Sequence, residues 1–210
     1  MNDEVPDDGD YDAGRARGEF DHVTPEDFIR PSGGSRSGRD NPPGWLTPDA
    51  IDHVRGRMPI AYVEVVPVRT DEFGRIGQVG SLLRVTDDGS VERALISGRV
   101  LFHETLREAI ARNIAKDLGS LALPQLPVNP QPFTVAEFFP TPGIGEYHDP
   151  RQHAIALCYV VPIAGDCRPQ DETLDVEWVD PRSELLDMFL DQMGGGHDRI
   201  VRAALAWAGV

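Results

Sequence analysis

Apolar residues follow two rhythms along this chain, and the first 44 positions follow neither. The regular pattern opens at Trp45-Leu46-Thr47-Pro48-Asp49-Ala50-Ile51. There Thr47 suits an N-cap and Pro48 a first helical position, so a short helix is predicted with Ile51 and Val54 on its buried face. Ile60–Val68 is compact and β-branched and predicts a strand, with Pro67 marking an edge or a bulge near its end. Gln78–Val85 and Val91–Ile96 predict two more strands. The Asp-Gly step in Thr86-Asp87-Asp88-Gly89-Ser90 between them is a hairpin signal.

The rhythm then changes to three and four. Leu106, Ala109, Ile110, Ile114 and Leu118 form one helical stripe, behind a capping box of Thr105 and Glu108 and ahead of a terminating Gly119. Strands are predicted over Phe133–Phe139, His153–Ile163 and Val176–Val179, and helices over Ser183–Leu190 and His197–Ala208. The order of helix, three strands, helix, three strands and two helices makes a mixed α and β domain, its sheet covered by helices.

Composition sets the limits of that domain. Residues 1–44 carry an acidic block and two Pro/Gly-rich stretches and predict a disordered acidic tail, leaving 45–210 as one domain. The first 28 residues hold ten acids against Arg15 and Arg17, so they account for eight of the fifteen excess negative charges. That balance excludes a nucleic-acid backbone as partner. No apolar run is long enough to span a membrane, and the acidic start is unlike an export signal, so a cytoplasmic protein is expected. Cys158 and Cys167 form neither a disulfide framework nor a CxxC pair.

Chemistry concentrates in 97–119, which contains Lys116, the one lysine among 20 basic residues. Gly98 is followed after five residues by Glu104 and after seven more by Arg112, then come Ile114, Asp117 and Gly119. This spacing resembles the Nudix box. It departs from the box at Asn113 and Lys116, where that family has glutamate, and at Ser120, where it has an apolar residue. The resemblance implies a Nudix-like α/β/α sandwich with a mixed sheet over roughly 58–208. It further implies hydrolysis of a nucleoside diphosphate linked to another group, with Mg²⁺ or Mn²⁺ held by box carboxylates.

On that resemblance, Glu104, Arg112 and Asp117 are the candidate catalytic residues. Asp117 and Glu104, with Glu137 from the following strand, are the candidate metal ligands, and Glu146 is a further acid that could reach the box helix. The helix face that carries three glutamates in the family here carries Asn113, Lys116 and Asp117, and its charge is zero rather than minus three. Lys116 offers donors only and repels a cation. It is therefore a candidate, with Arg99, for contacting a ligand's diphosphate in place of metal; the ordinary alternative is an ion pair with Glu104 or Glu108. Arg112 has a purely structural alternative as well, pairing with Glu108.

Two functions follow and stay open: a divergent metal-dependent pyrophosphohydrolase, or a Nudix-fold nucleotide-binding or sensor module without hydrolysis. Both take a nucleotide-type small molecule, and both allow a homodimer. A zinc reading of two histidines and an acid in His148, Asp149 and His153 does not have the helical HExxH spacing, and the Asp-Pro turn breaks any helix there, while Gly194-Gly195-Gly196 lacks the Lys-Ser or Lys-Thr of a phosphate-binding P-loop.

Overall fold

A computed structural model describes residues 46–86, 89–170 and 173–210, so the predicted tail over 1–44 and parts of two turns lie outside the described residues. Helix α1 spans Pro48–Arg55, with Thr47 capping it through Ala50 N–H. Strands β1 (Ile60–Thr70), β2 (Ile76–Val85), β3 (Val91–Ala94) and β4 (Ile96–Arg99) precede helix α2 (Leu106–Leu118). Then come β5 (Ala122–Pro124), β6 (Thr134–Phe139), β7 (Tyr147–His148), β8 (Ala154–Gly165), β9 (Thr173–Val179), α3 (Leu186–Leu190) and α4 (His197–Ala208).

The sheet is mixed, in the order β3-β2-β1-β8-β6-β7, with β4 also on β1, β5 on β8 and β9 on β2. Its centre is the parallel pair β1–β8, in register from Ile60 opposite Ala154 to Val68 opposite Pro162. Alternate residues of β1 serve opposite faces. Tyr62, Val66 and Val68 pack in a core with Ile51 of α1, Leu190 of α3 and Ile200 and Ala204 of α4. Val63 and Val65 pack with Ala109, Ile110, Ile114 and Leu118 of α2. Helices therefore cover both faces, which is the α/β/α sandwich expected. No helix among the described residues is long and apolar enough to cross a membrane.

One predicted strand is two. Val91–Ile96 breaks at the fully buried Leu95, because the chain changes partners there: β3 pairs with β2, whereas β4 pairs with β1. On its other edge, β1 thus meets β4 over Tyr62–Val65 and β2 only over Val68–Thr70. The sheet is split between those partners, and the split holds the site. Two shorter departures are the predicted helix over Ser183–Leu190, which is helical only from Leu186, and the added short strands β5 and β7.

Candidate functional site

The capping box of α2 forms as its sequence dictates: Glu108 N–H donates to Thr105 Oγ1 at 3.2 Å, and Thr105 N–H donates to Glu108 at 2.8 Å. Glu108 is thereby committed, and it pairs with neither Arg112 nor Lys116. Arg112 instead reaches back across the loop that leads into α2. Its Nε donates to Glu104 Oε1 at 2.6 Å and its second nitrogen to Glu104 Oε2 at 2.9 Å and to the Arg99 carbonyl at 2.7 Å. Glu104 also accepts from Leu101 N–H at 2.9 Å. Burial pushes the Glu104 carboxyl up, but these hydrogen bonds outweigh it and hold the group below the usual carboxylate range. Glu104 and Arg112 thus form a two-pronged clasp that fixes the loop to the helix.

Gly98 has a steric reason to be glycine. A Cβ there would lie 2.0 Å from Asn113 Oδ1, so the helix can sit this close to β4 only when residue 98 has no side chain. Asn113 is buried, and its amide donates to the Ala109 carbonyl at 2.8 Å within its own helix. Gly119 closes the helix at φ 82°, a backbone conformation that favours glycine.

Asp117 is also buried, and both of its oxygens are taken. Arg84 of β2 donates to Oδ2 at 2.5 Å, and Lys116 lies 3.2 Å from Oδ1. Burial raises the Asp117 carboxyl, and Arg84 and then Lys116 offset part of that rise. Lys116 therefore pairs with its own neighbour in sequence.

Arg84 connects the box helix to a cavity of about 490 Å³ in the split of the sheet. The cavity's inner wall is Tyr62 and Glu64 of β1, Leu95, Phe138 of β6, and Ala154 and Ala156 of β8, all buried. Its rim carries Arg84, Thr86, Ser90 and Arg151, with Gly194, Gly195 and His197 at the start of α4. Arg151 is paired with Asp149 at 2.8 Å. Glu64 accepts from Ser97 Oγ at 2.5 Å, and its other oxygen lies 3.8 Å from His197 Nε2. Burial pushes Glu64 up to about 8, and burial followed by the Arg84 charge lowers His197 to about 4. Both side chains are therefore neutral near pH 7, a buried acid and a half-buried base whose affinities for the proton have been driven past each other.

The predicted site residues are thus only partly brought together. Asp117 brings together Lys116 and the cavity-lining Arg84, whereas Glu104 and Arg112 form a separate clasp and are not among the lining residues. Arg99 is not among the cavity's lining residues, Glu137 is exposed on β6, and the exposed Glu146 lies 3.6 Å from Arg199. Among the described residues no three His, Cys, Asp or Glu side chains are grouped to hold a metal ion. Asp117, Glu104 and Glu137 therefore do not assemble the ligand set expected of them. Asn113 packs on Gly98 with its amide bonded within its own helix, and Asp117 is paired with two cations, so these residues do not fit Mg²⁺ or Mn²⁺. The zinc reading fares no better: His148 Nδ1 is 2.9 Å from the Phe139 carbonyl, and His153 stacks on Phe139.

Glu64, Arg84 and His197 are the residues that sequence reasoning passed over. Two of them left a signal. Glu64 is the one charge inside the apolar run Ile60–Val68, and His197 follows three glycines directly before a helix.

Known proteins resemble this chain along the same lines. The sequence profile of the domain of unknown function DUF4916 matches residues 41–210. A protein of Jonesia denitrificans, described as a possible asymmetric diadenosine tetraphosphate hydrolase, is 51% identical, with 73% of this chain and 96% of that one covered at a TM-score of 0.69. The NUDIX domain of Shewanella oneidensis NrtR, solved with ADP ribose, is 16% identical over 77% of this chain and 92% of that one, at a TM-score of 0.52. A Francisella tularensis bifunctional NMN adenylyltransferase/ADP ribose pyrophosphatase, solved with AMP and manganese, is 17% identical over 72% of this chain and 42% of that one, also at 0.52. These two share the fold. No curated protein matches.

Proposed function

The chain belongs to the DUF4916 domain family and to the Nudix hydrolases, and from that premise we propose that it binds a nucleotide in the split-sheet cavity without a divalent metal on its box helix. One observation carries this reading. Arg84 lines the cavity, is held at one end by Asp117, and keeps a buried Nε with no partner. A buried donor on a cation is costly unless an acceptor meets it, and a phosphate oxygen is the acceptor that also matches its charge. Arg84 then provides, from within the protein, a positive charge facing the phosphate. Apolar Tyr62, Leu95 and Phe138 behind them suit the non-phosphate part of a nucleotide.

The test is calorimetric titration of AMP, ADP and ADP-ribose into the protein, once in excess chelator and once in millimolar Mg²⁺. Binding is expected in both, with equal affinity and no turnover. Binding seen only with Mg²⁺, or no binding in either buffer, overturns the proposal.

A second reading, metal-dependent hydrolysis, is favoured by the description of the Jonesia relative as a possible diadenosine tetraphosphate hydrolase. Mg²⁺-dependent release of nucleotide from diadenosine tetraphosphate, abolished by chelator, would establish it.

A further inference from the structure

Seven buried side-chain polar atoms among the described residues lack a hydrogen-bond partner, and three of them belong to residues lining one cavity: Arg84 Nε, Glu64 Oε2 and His197 Nδ1. Unpartnered buried polar atoms are rare, and two such groups at one cavity, Arg84 and Glu64, point to a ligand, which His197 would meet through its other ring nitrogen, Nε2. Arg84 is accounted for by a phosphate. Glu64 and His197 are not: Glu64 belongs to the inner wall with Tyr62, Phe138 and Ala156, and His197 lies beside it at the start of α4. Ser97 engages Glu64 Oε1, which leaves Oε2 as the oxygen without a partner. Oε2 and His197 Nε2 are 3.8 Å apart, too far to bond each other, yet neighbouring atoms on the edge of one ligand ring can meet both. The Phe138 ring lies 5.9 Å from the His197 ring and supplies a flat apolar wall.

We propose that Glu64 and His197 recognise a nitrogen heterocycle carrying a ring nitrogen beside an amino group, Glu64 donating its O–H to the ring nitrogen and His197 accepting from the amine. The proposal rests on the nucleotide reading and adds what that reading leaves open, the hydrogen-bonding edge the ligand must present. A carboxyl can donate only while protonated, and burial keeps Glu64 protonated through neutral pH. His197 at about 4 is uncharged over the same range and can accept. An oxo ring with an N–H at the same edge offers the opposite pattern and leaves both protein groups facing the wrong partner.

The charged and titratable groups around Glu64 are Arg84 from β2, Asp149 and Arg151 from the loop before β8, Cys158 from β8 and His197 from α4. Of these, Cys158 is pushed up to about 12 and His197 down to about 4, so Glu64 is the neighbour set to change charge between pH 7 and 9.

Calorimetric titration at pH 6.5 with AMP, IMP and ribose 5-phosphate tests the proposal on wild type, Glu64→Gln and Glu64→Leu. Wild type should bind AMP at least about tenfold more tightly than IMP or ribose 5-phosphate. Glu64→Leu should bring AMP down to the level of ribose 5-phosphate. Glu64→Gln keeps a donor at every pH, so it should hold AMP equally at pH 6.5 and 9, whereas wild type loses about tenfold over that interval. Equal binding of all three compounds to wild type, or wild-type AMP affinity in Glu64→Leu, overturns this proposal and leaves the nucleotide reading standing. Failure of all three to bind overturns both.

Discussion

Replacing Glu64 by glutamine should make the protein more stable, and the gain should depend on pH. The Glu64 carboxyl ionises at about 8 in the folded chain against 4.5 for the ordinary group. Between those values the folded state holds a proton that the unfolded state has released, so stability falls by about 1.4 kcal/mol for each pH unit through that window. The contribution is fully present below pH 4.5 and is lost by pH 8. At pH 7 the 2.5 units traversed correspond to about 3 kcal/mol. Glutamine has nearly the same shape, can still accept from Ser97 and has nothing to ionise. His197 works in the opposite sense. Its value of about 4 against 6.5 makes stability rise with pH between those two limits, so the two contributions oppose each other up to 6.5 and only Glu64's remains above it.

The clean window is therefore pH 6.5 to 8, where wild type should lose about 2 kcal/mol that Glu64→Gln retains. Urea unfolding followed by tryptophan fluorescence at pH 6.5, 7 and 8 reads the difference directly. A variant less stable than wild type at pH 7, or a difference that stays constant from 6.5 to 8, would refute the assignment of a neutral buried acid at the cavity. Such a gain would also mean that wild type tolerates a standing instability at this position, as residues kept for binding often do.

Three further outcomes are expected. Arg84→Ala strips the buried Asp117 of its principal cation and should cost about 3 kcal/mol by denaturant titration, and Asp117→Asn in the same chain should recover part of that loss. Gly98→Ala drives a methyl into Asn113 and should cost about 1–3 kcal/mol, with partial rescue by Asn113→Ala, which clears the space. The double change Asn113→Glu and Lys116→Glu should confer no Mg²⁺ binding by calorimetry while Arg84 holds Asp117, and adding Arg84→Gln should bring binding in; micromolar Mg²⁺ affinity in the double variant would contradict the role given to Arg84.

Much of the fold is legible in the sequence because its signals are local. Thr47 and Pro48 start α1, Thr105 and Glu108 start α2, Gly119 ends it, and α4 begins and ends where its apolar period does. The break at Leu95 is not legible. A run of apolar residues reports that a strand is buried but not which neighbour it bonds to, and here the neighbour changes at that one residue. The site divides in the same way. Gly98, Glu104, Arg112 and Asp117 are marked by spacing within 23 positions, and the neutral charge of the box face can be counted from the residue types alone. Arg84 lies 33 residues from Asp117, and Glu64 and His197 come from opposite ends of the domain. No periodicity links such positions, so nothing in the spacing pairs Asp117 with Arg84, which makes the shorter of its two cation contacts.

The parallel pairing of β1 with β8 has a consequence for how the molecule is made. Ile60 and Ala154 are 94 positions apart, and closing a flexible loop of that size costs about 4 kcal/mol of chain entropy before any contact repays it. A ribosome that has released the chain as far as the end of α2 has delivered the box helix but only half of the residues that line the cavity. On the proposed reading, ligand capture would be among the last abilities a newly made molecule acquires, and a fragment ending before β8 would carry the box without the β8 and α4 side of the cavity.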